Sequence, residues 1–197
     1  MAAYPQGNKQ NDKEVQGMNK RKLPQESPLW ISVDPANKTG IAFWSGSILA
    51  HTGILREVGS SGNYKLHVAK DGRKSSIPYS SKIHAWEDLC NTYYSGLVVE
   101  KGAGRFATAV DSQAMLRGYI LACCDSFHTQ YKQINVSEWR RVIREAYGVS
   151  FPANSKGCKE LSKKLVKQEF GIDVSDDEAD ACLIGRAALR MRLLDWM

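Results

Sequence analysis

The six residues Leu29-Trp30-Ile31-Ser32-Val33-Asp34 form an apolar run that closes on an acid, and this run constrains the fold most. A short Pro35-Ala36-Asn37-Lys38 turn leads into a second apolar run, Thr39-Gly40-Ile41-Ala42-Phe43-Trp44. Two such runs joined through Pro and Asn, with Gly close behind, read as a β-hairpin. An aspartate ending a buried strand is costly unless it is paired or holds a cation. Asp34 is therefore a candidate site residue. On this stretch alone it can equally cap the turn through the backbone of Ala36 or Asn37.

The pattern recurs. Gly96-Leu97-Val98-Val99-Glu100 is again an apolar strand closing on an acid, and strands of this kind become neighbours in a mixed sheet. A third acidic contribution, Asp177-Glu178-Ala179-Asp180-Ala181, opens the last helix. Asp177 and Asp180 are three apart and share one helix face, which continues through Ala181, Ile184 and Ala188 and should pack on the sheet. Acids at a helix start also answer the helix dipole. That accounts for Asp176 and Glu178, but not for an inward pair or for Asp34 and Glu100.

Four clustered carboxylates repel one another unless cations compensate them. Their oxygens are hard ligands that suit Mg²⁺, with Mn²⁺ as a substitute, rather than zinc. Two such ions about 4 Å apart can activate a water and stabilise the leaving oxygen of a phosphodiester. Charge points the same way. The 197-residue chain carries a net +6, and Val136 to Gln168 holds eight Lys or Arg against three Glu, leaving +5 in one segment. Arg140, Arg141 and Arg144, and Lys156, Lys159, Lys163, Lys164 and Lys167, fall largely at helical spacings of three and four, which suits contact with phosphates. The combination reads as a metal-dependent nuclease.

Other classes fit less well. No apolar stretch reaches the roughly 18 residues that span a bilayer, and no apolar secretory segment begins the chain; a cytoplasmic protein is expected. Five cysteines without a CxxC pair read as small buried hydrophobes of a reducing compartment. Gly102-Ala103-Gly104 lacks the Lys-Ser/Thr of a phosphate-binding P-loop; it reads as a flexible loop that sets Lys101 and Arg105 near DNA. The four histidines show no metal-ligand spacing.

In chain order, residues 1–27 are polar, basic and poor in large apolar side chains, and are expected to form a disordered tail. Residues 28–197 are expected to form one domain. It opens with three antiparallel strands, the third spanning about Ser47 to Arg56. Gly59–Ser76 reads as a loop or a small extra hairpin around Tyr64–Val68. A helix over Ser80–Tyr94, the strand at Gly96, a long helix over Ala107–Phe127 and a fifth strand at Tyr131–Asn135 follow. Two basic helices and a closing helix from Val174 to Trp196 complete the chain. The expected fold is α/β: a mixed five-stranded sheet, meander plus parallel strands, with helices on its faces.

Val33-Asp34 with the Thr39-Gly40 hairpin, Val99-Glu100 and the closing Asp177-x-x-Asp180-Ala181 resemble the RuvC branch of the RNase H-like superfamily, over roughly Leu29 to Arg190. The resemblance implies an RNase H-like fold, with Asp34, Glu100, Asp177 and Asp180 as the catalytic, metal-binding set. It also implies a homodimer that cuts four-way DNA junctions symmetrically. Phe106, shortly after the glutamate, is similar to an aromatic that probes junction bases; its other reading is a hydrophobic staple at a helix start. Leu116-Arg117-Gly118 resembles a family pattern on a helix that contributes to dimerisation. The longer glycine-rich loop, the 59–76 insertion and the tail depart from bacterial members and fit a phage or otherwise divergent one. Taken together, the four acids make Asp34 the ligand expected to bridge two ions at the sheet's centre, and leave turn capping to Asn37. Two other readings use the same residues: an RNase H-type ribonuclease on RNA–DNA hybrids or structured RNA, and a junction-binding protein without catalysis. An actin-like phosphotransferase, which shares the opening hairpin, needs a far longer chain.

Overall fold

A computed structural model describes residues 29–36, 38–59, 62–70, 73–92, 95–101 and 107–196. The expected tail, the capping residue Asn37, and Arg105 and Phe106 in the glycine-rich loop lie outside the described residues. Seven strands form one sheet: β1 (Leu29–Asp34), β2 (Thr39–Ser45), β3 (Ile48–Val58), β4 (Asn63–Lys70), β5 (Arg73–Tyr79), β6 (Gly96–Lys101) and β7 (Gln130–Asn135). Five helices accompany it: α1 (Lys82–Thr92), α2 (Ala107–Ser126), α3 (Val136–Tyr147), α4 (Ser155–Phe170) and α5 (Asp176–Arg190).

The spatial order is β5-β4-β3-β2-β1-β6-β7. β1 to β5 are antiparallel neighbours, whereas β1–β6 and β6–β7 are parallel. The expected α/β class and the meander-plus-parallel plan are observed, with two more strands than the five expected. Gly59–Ser76 contributes to full sheet strands rather than a loop. Tyr64, Leu66 and Val68 alternate as a half-buried strand should, but Arg73–Tyr79 is polar and contains Pro78, which hides it as a strand. Proline is tolerated on an edge, and β5 pairs only with β4. The extension moves the geometric middle of the sheet to β2. β1 instead marks the change from antiparallel to parallel pairing.

Two cores lie on the two faces. One packs Ile31, Val33, Leu55, Leu66, Leu97 and Val99 against Trp86 and Leu89 of α1 and Ile120 of α2. The other packs Trp30, Ala42, Trp44 and Val98 against Ala181, Ile184 and Ala188 of α5, with α3 and α4 beyond. The five cysteines are free and buried. No described helix is long and apolar enough to cross a membrane.

α5 approaches the sheet unusually closely. It ends at Arg190, earlier than the Trp196 expected from the pattern. At Gly185 an added Cβ would come 2.5 Å from the Trp44 ring. Ser32, a lone polar residue in an apolar strand, is fully buried. Its hydroxyl donates to the Ala181 carbonyl at 2.7 Å and accepts from Trp44 Nε1 at 2.9 Å. Ser32→Ala leaves Trp44 Nε1 buried without an acceptor and removes the second bond to the Ala181 carbonyl, which keeps its helical partner, so it should lower stability by about 1–3 kcal/mol in chemical denaturation. Gly185→Ala forces the Trp44 ring to move and should cost a similar ~1–3 kcal/mol. Denaturation midpoints equal to the parent would show that α5 is held elsewhere.

Candidate active site

The site begins with strand register. Val33 pairs with Val99 across the parallel β1–β6 ladder, so Asp34 and Glu100 follow at equivalent places on adjacent strands. Side chains alternate along a strand. Asp34 thus shares the face of Trp30 and Ser32, and Glu100 that of Val98, which is the face α5 covers. The α5 acids arrive by backbone contact. Asp34 pairs with Gly40 across the hairpin, and a Cβ on Gly40 would overlap the carbonyl of Asp177. Glycine here lets the first turn of α5 rest directly on the hairpin beside Asp34.

That first turn is built by Ser175, whose hydroxyl caps the Glu178 amide, while the Glu178 carboxylate accepts from the Ser175 backbone amide in return. Glu178 also accepts from Thr52 of β3 at 2.8 Å. Asp176 faces outward, ion-paired with Lys163 at 2.8 Å and Lys159 at 3.5 Å. Helix-start duties therefore do explain Asp176 and Glu178, leaving Asp177 and Asp180 for another role.

All four predicted acids are electrostatically linked. Burial pushes the Asp34 carboxyl well up, and Glu100, Asp180 and Asp177 push it further. Glu100 is raised by burial and by Asp180, against a pull from Trp139, whose Nε1 donates to Glu100 Oε2 at 2.8 Å. Asp177 is raised by burial, with Lys159 opposing. Burial also raises Asp180, against Ser162, Arg140 and Lys159. Neither Asp180 Oδ1 nor the fully buried Ser162 hydroxyl forms a hydrogen bond of good geometry. A buried carboxylate oxygen without a donor wants a cation, and the donor set is wholly hard oxygen, which fits Mg²⁺ or Mn²⁺. Among the described residues no group of three or more His, Cys, Asp or Glu side chains is placed, as it stands, so that it could hold a metal ion. Like charges favour rotamers that keep carboxylates apart.

The predicted DNA contacts divide. Lys101 is exposed beside Glu100. Arg140 stacks on Trp139 and Phe151, 5.1 and 5.3 Å from the ring centroids, and its charge reaches Glu100 and Asp180. Lys159 and Lys163 lean on the α5 acids, Lys156 lies 4.0 Å from Glu160, and Arg141 pairs with Glu145. Arg144 is exposed. Trp139, Ser162 and Thr52 were not legible as site residues. Their one advance signal is polar or aromatic placement at core-facing positions.

The chain is an α/β protein in which a mixed sheet sets strand-end acids under a helix-borne acid pair. No family model matches the chain, and no curated protein matches it by sequence. Among solved structures, the fold is similar to that of Thermus thermophilus RuvC in complex with Holliday junction substrate: 14% identity, 83% of this chain and 96% of that one, TM-score 0.47. A second Thermus thermophilus RuvC structure gives 14% identity over the same shares of the two chains, with a TM-score of 0.46. At this identity the likeness is one of fold.

The raised pKa values fix a sign. A carboxyl whose folded pKa exceeds its ordinary value of about 4 holds a proton that the unfolded chain has released. Stability of the metal-free protein should therefore fall as pH rises from about 4 through the raised values. The lowered carboxyls Asp176, Glu138 and Asp195 act in the opposite sense, below about pH 4. In chelator, the thermal midpoint should drop between about pH 4.5 and 7. Asp34→Asn should flatten that drop and raise the midpoint at neutral pH by a few degrees. A midpoint that climbs over this range contradicts a cluster of repelling acids.

Proposed function

We propose that this chain is a metal-dependent endonuclease that hydrolyses phosphodiester bonds in branched DNA, four-way junctions above all, and acts as a homodimer. What carries the reading is Asp34: an acid whose charge is opposed by burial and by three neighbouring carboxylates at once. Such an arrangement is unfavourable in an empty structural core and useful around divalent cations. Asp34, Glu100, Asp177 and Asp180 would hold the ions. When bound, two such ions supply nucleophile activation and leaving-oxygen stabilisation in phosphodiester hydrolysis.

The chain's own groups do the positioning. Trp139 orients Glu100 by its indole N–H. Gly40 sets Asp177 against the hairpin. Lys159 and Arg140 temper the acids' repulsion without closing the site to cations. Lys101 and Arg144 are exposed cations available to the DNA backbone. A two-fold dimer suits a substrate with paired strands to cut.

Cleavage of a labelled four-way junction and of an RNA–DNA hybrid, each with Mg²⁺ and with cut sites mapped, tests the substrate. Junction cutting at paired positions is expected; faster cutting of the hybrid would favour an RNase H-type ribonuclease. Asp34→Asn should slow cutting on the order of a thousandfold while junction binding persists. If it leaves the cutting rate unchanged, the protein is a binder without this chemistry.

Gly40→Ala tests the positioning. It should reduce Mg²⁺-dependent cutting and shrink the Mg²⁺-induced rise in thermal midpoint, since Asp177 must retreat from Asp34.

A further inference from the structure

The extension formed by β4 and β5 has two unlike faces, and register fixes their residues. Leu55 pairs with Leu66, and Leu66 with Ile77. That face is packed, with Tyr64, Val68 and Tyr79 joining the core around Trp86 of α1. The opposite face sets Arg56 beside Lys65, Ile54 beside His67, and Ala69 beside Lys74. It is the face from which Thr52 reaches Glu178, so it is continuous with the acidic site.

Arg56, Lys65 and Lys74 are exposed there, and among the described residues none makes an ion pair. Burial lowers the pKa of His67 between them, and the charges of Arg56 and Lys65 lower it further. The contrast with α4 is sharp, because Lys159, Lys163 and Lys167 are occupied by Asp176, Asp177 and Asp173. Arg56 and Lys74 also border a cleft of about 790 Å³ whose other wall carries Asp173, Asp176, Asp177 and Glu178.

Geometry narrows the occupant. Lys74 lies across from Ala69 and Thr52, four residues along the ladder and two strands over from Arg56, or about 16 Å away. That span matches about five nucleotides of one strand at ~3.4 Å each along a duplex. Among the described residues no Tyr, Trp or Phe lies on this face to stack an unpaired base, since Tyr64 and Tyr79 belong to the packed side. A cationic surface without aromatics suits a duplex backbone rather than a single strand.

We propose that the exposed face of β3–β5 seats one duplex arm of the DNA, with Arg56, Lys65 and Lys74 gripping its phosphates and the cleft leading the strand to the acids. The identity of the polymer rests on the nuclease reading above. The test is the triple variant Arg56→Ala/Lys65→Ala/Lys74→Ala in the full chain. Binding to a four-way junction, a plain duplex and a single strand is measured in chelator over a salt series. Junction and duplex affinity should fall by roughly tenfold or more, and the slope of log K against log salt should shrink by two to three. The Mg²⁺-induced rise in thermal midpoint should equal the parent's, which shows that the fold and acid site are intact. Unchanged affinity and slope overturn the proposal, as does a loss confined to the single strand. If the parent cuts no nucleic acid but binds duplex through these three side chains, the nuclease reading fails and this one stands. If junction cutting and binding are both unaffected in the variant, the reverse holds.

Discussion

Everything in this protein that resembles a catalytic centre depends on how closely the backbone of α5 can lie on the sheet. Three small residues set that distance. Gly40 admits the Asp177 carbonyl, Gly185 admits the Trp44 ring, and Ser32 ties the Ala181 carbonyl to β1. The large groups fit around them: Trp30 stacks on Trp44 with centroids 5.1 Å apart, and Phe170 meets Trp44 edge-on at 5.9 Å. A dense aromatic core next to small-residue contact leaves little slack, because protein interiors pack like crystals. The acids on the first turn of α5 are therefore fixed relative to those on the strand ends without touching them.

That rigidity has an electrostatic cost, which the surrounding residues reduce only partly. Lys159 and Arg140 oppose the raised pKa values, Trp139 donates to Glu100, and yet burial dominates at all four carboxyls, with repulsion from the other three adding to it most at Asp34. A fold selected for stability alone would replace such a cluster by apolar residues. The cations around the sheet differ in the same electrostatic terms. Lys156, Lys159, Lys163 and Lys167 of α4 lean on acids of their own chain, whereas among the described residues Arg56, Lys65 and Lys74 make no ion pair.

Much of the plan was legible before any coordinates. Two apolar runs closing on acids located β1 and β6, and alternation in Tyr64–Val68 hinted at β4. The three-residue spacing of Asp177 and Asp180 placed them on one face. The fifth strand stayed hidden because an edge strand needs only one apolar face and tolerates Pro78. In the basic helices, spacing shows which residues share a face but not which acids stand opposite. Lys163 and Asp176 are thirteen residues apart in sequence and 2.8 Å apart in space.

The sequence by itself determined most of the elements, the two faces of the sheet and the four acids as candidates, because periodicity and local chemistry are properties of the chain. Only the tertiary structure decided that Asp34 feels Glu100, Asp177 and Asp180 together, that Gly40 is a seat for a helix rather than merely part of a turn, and that Ser32 is a latch. It also decided which cations are occupied by acids and which remain free. Such facts arise where segments distant in sequence meet: burial, like-charge repulsion and close backbone approach do not exist until the chain has closed upon itself.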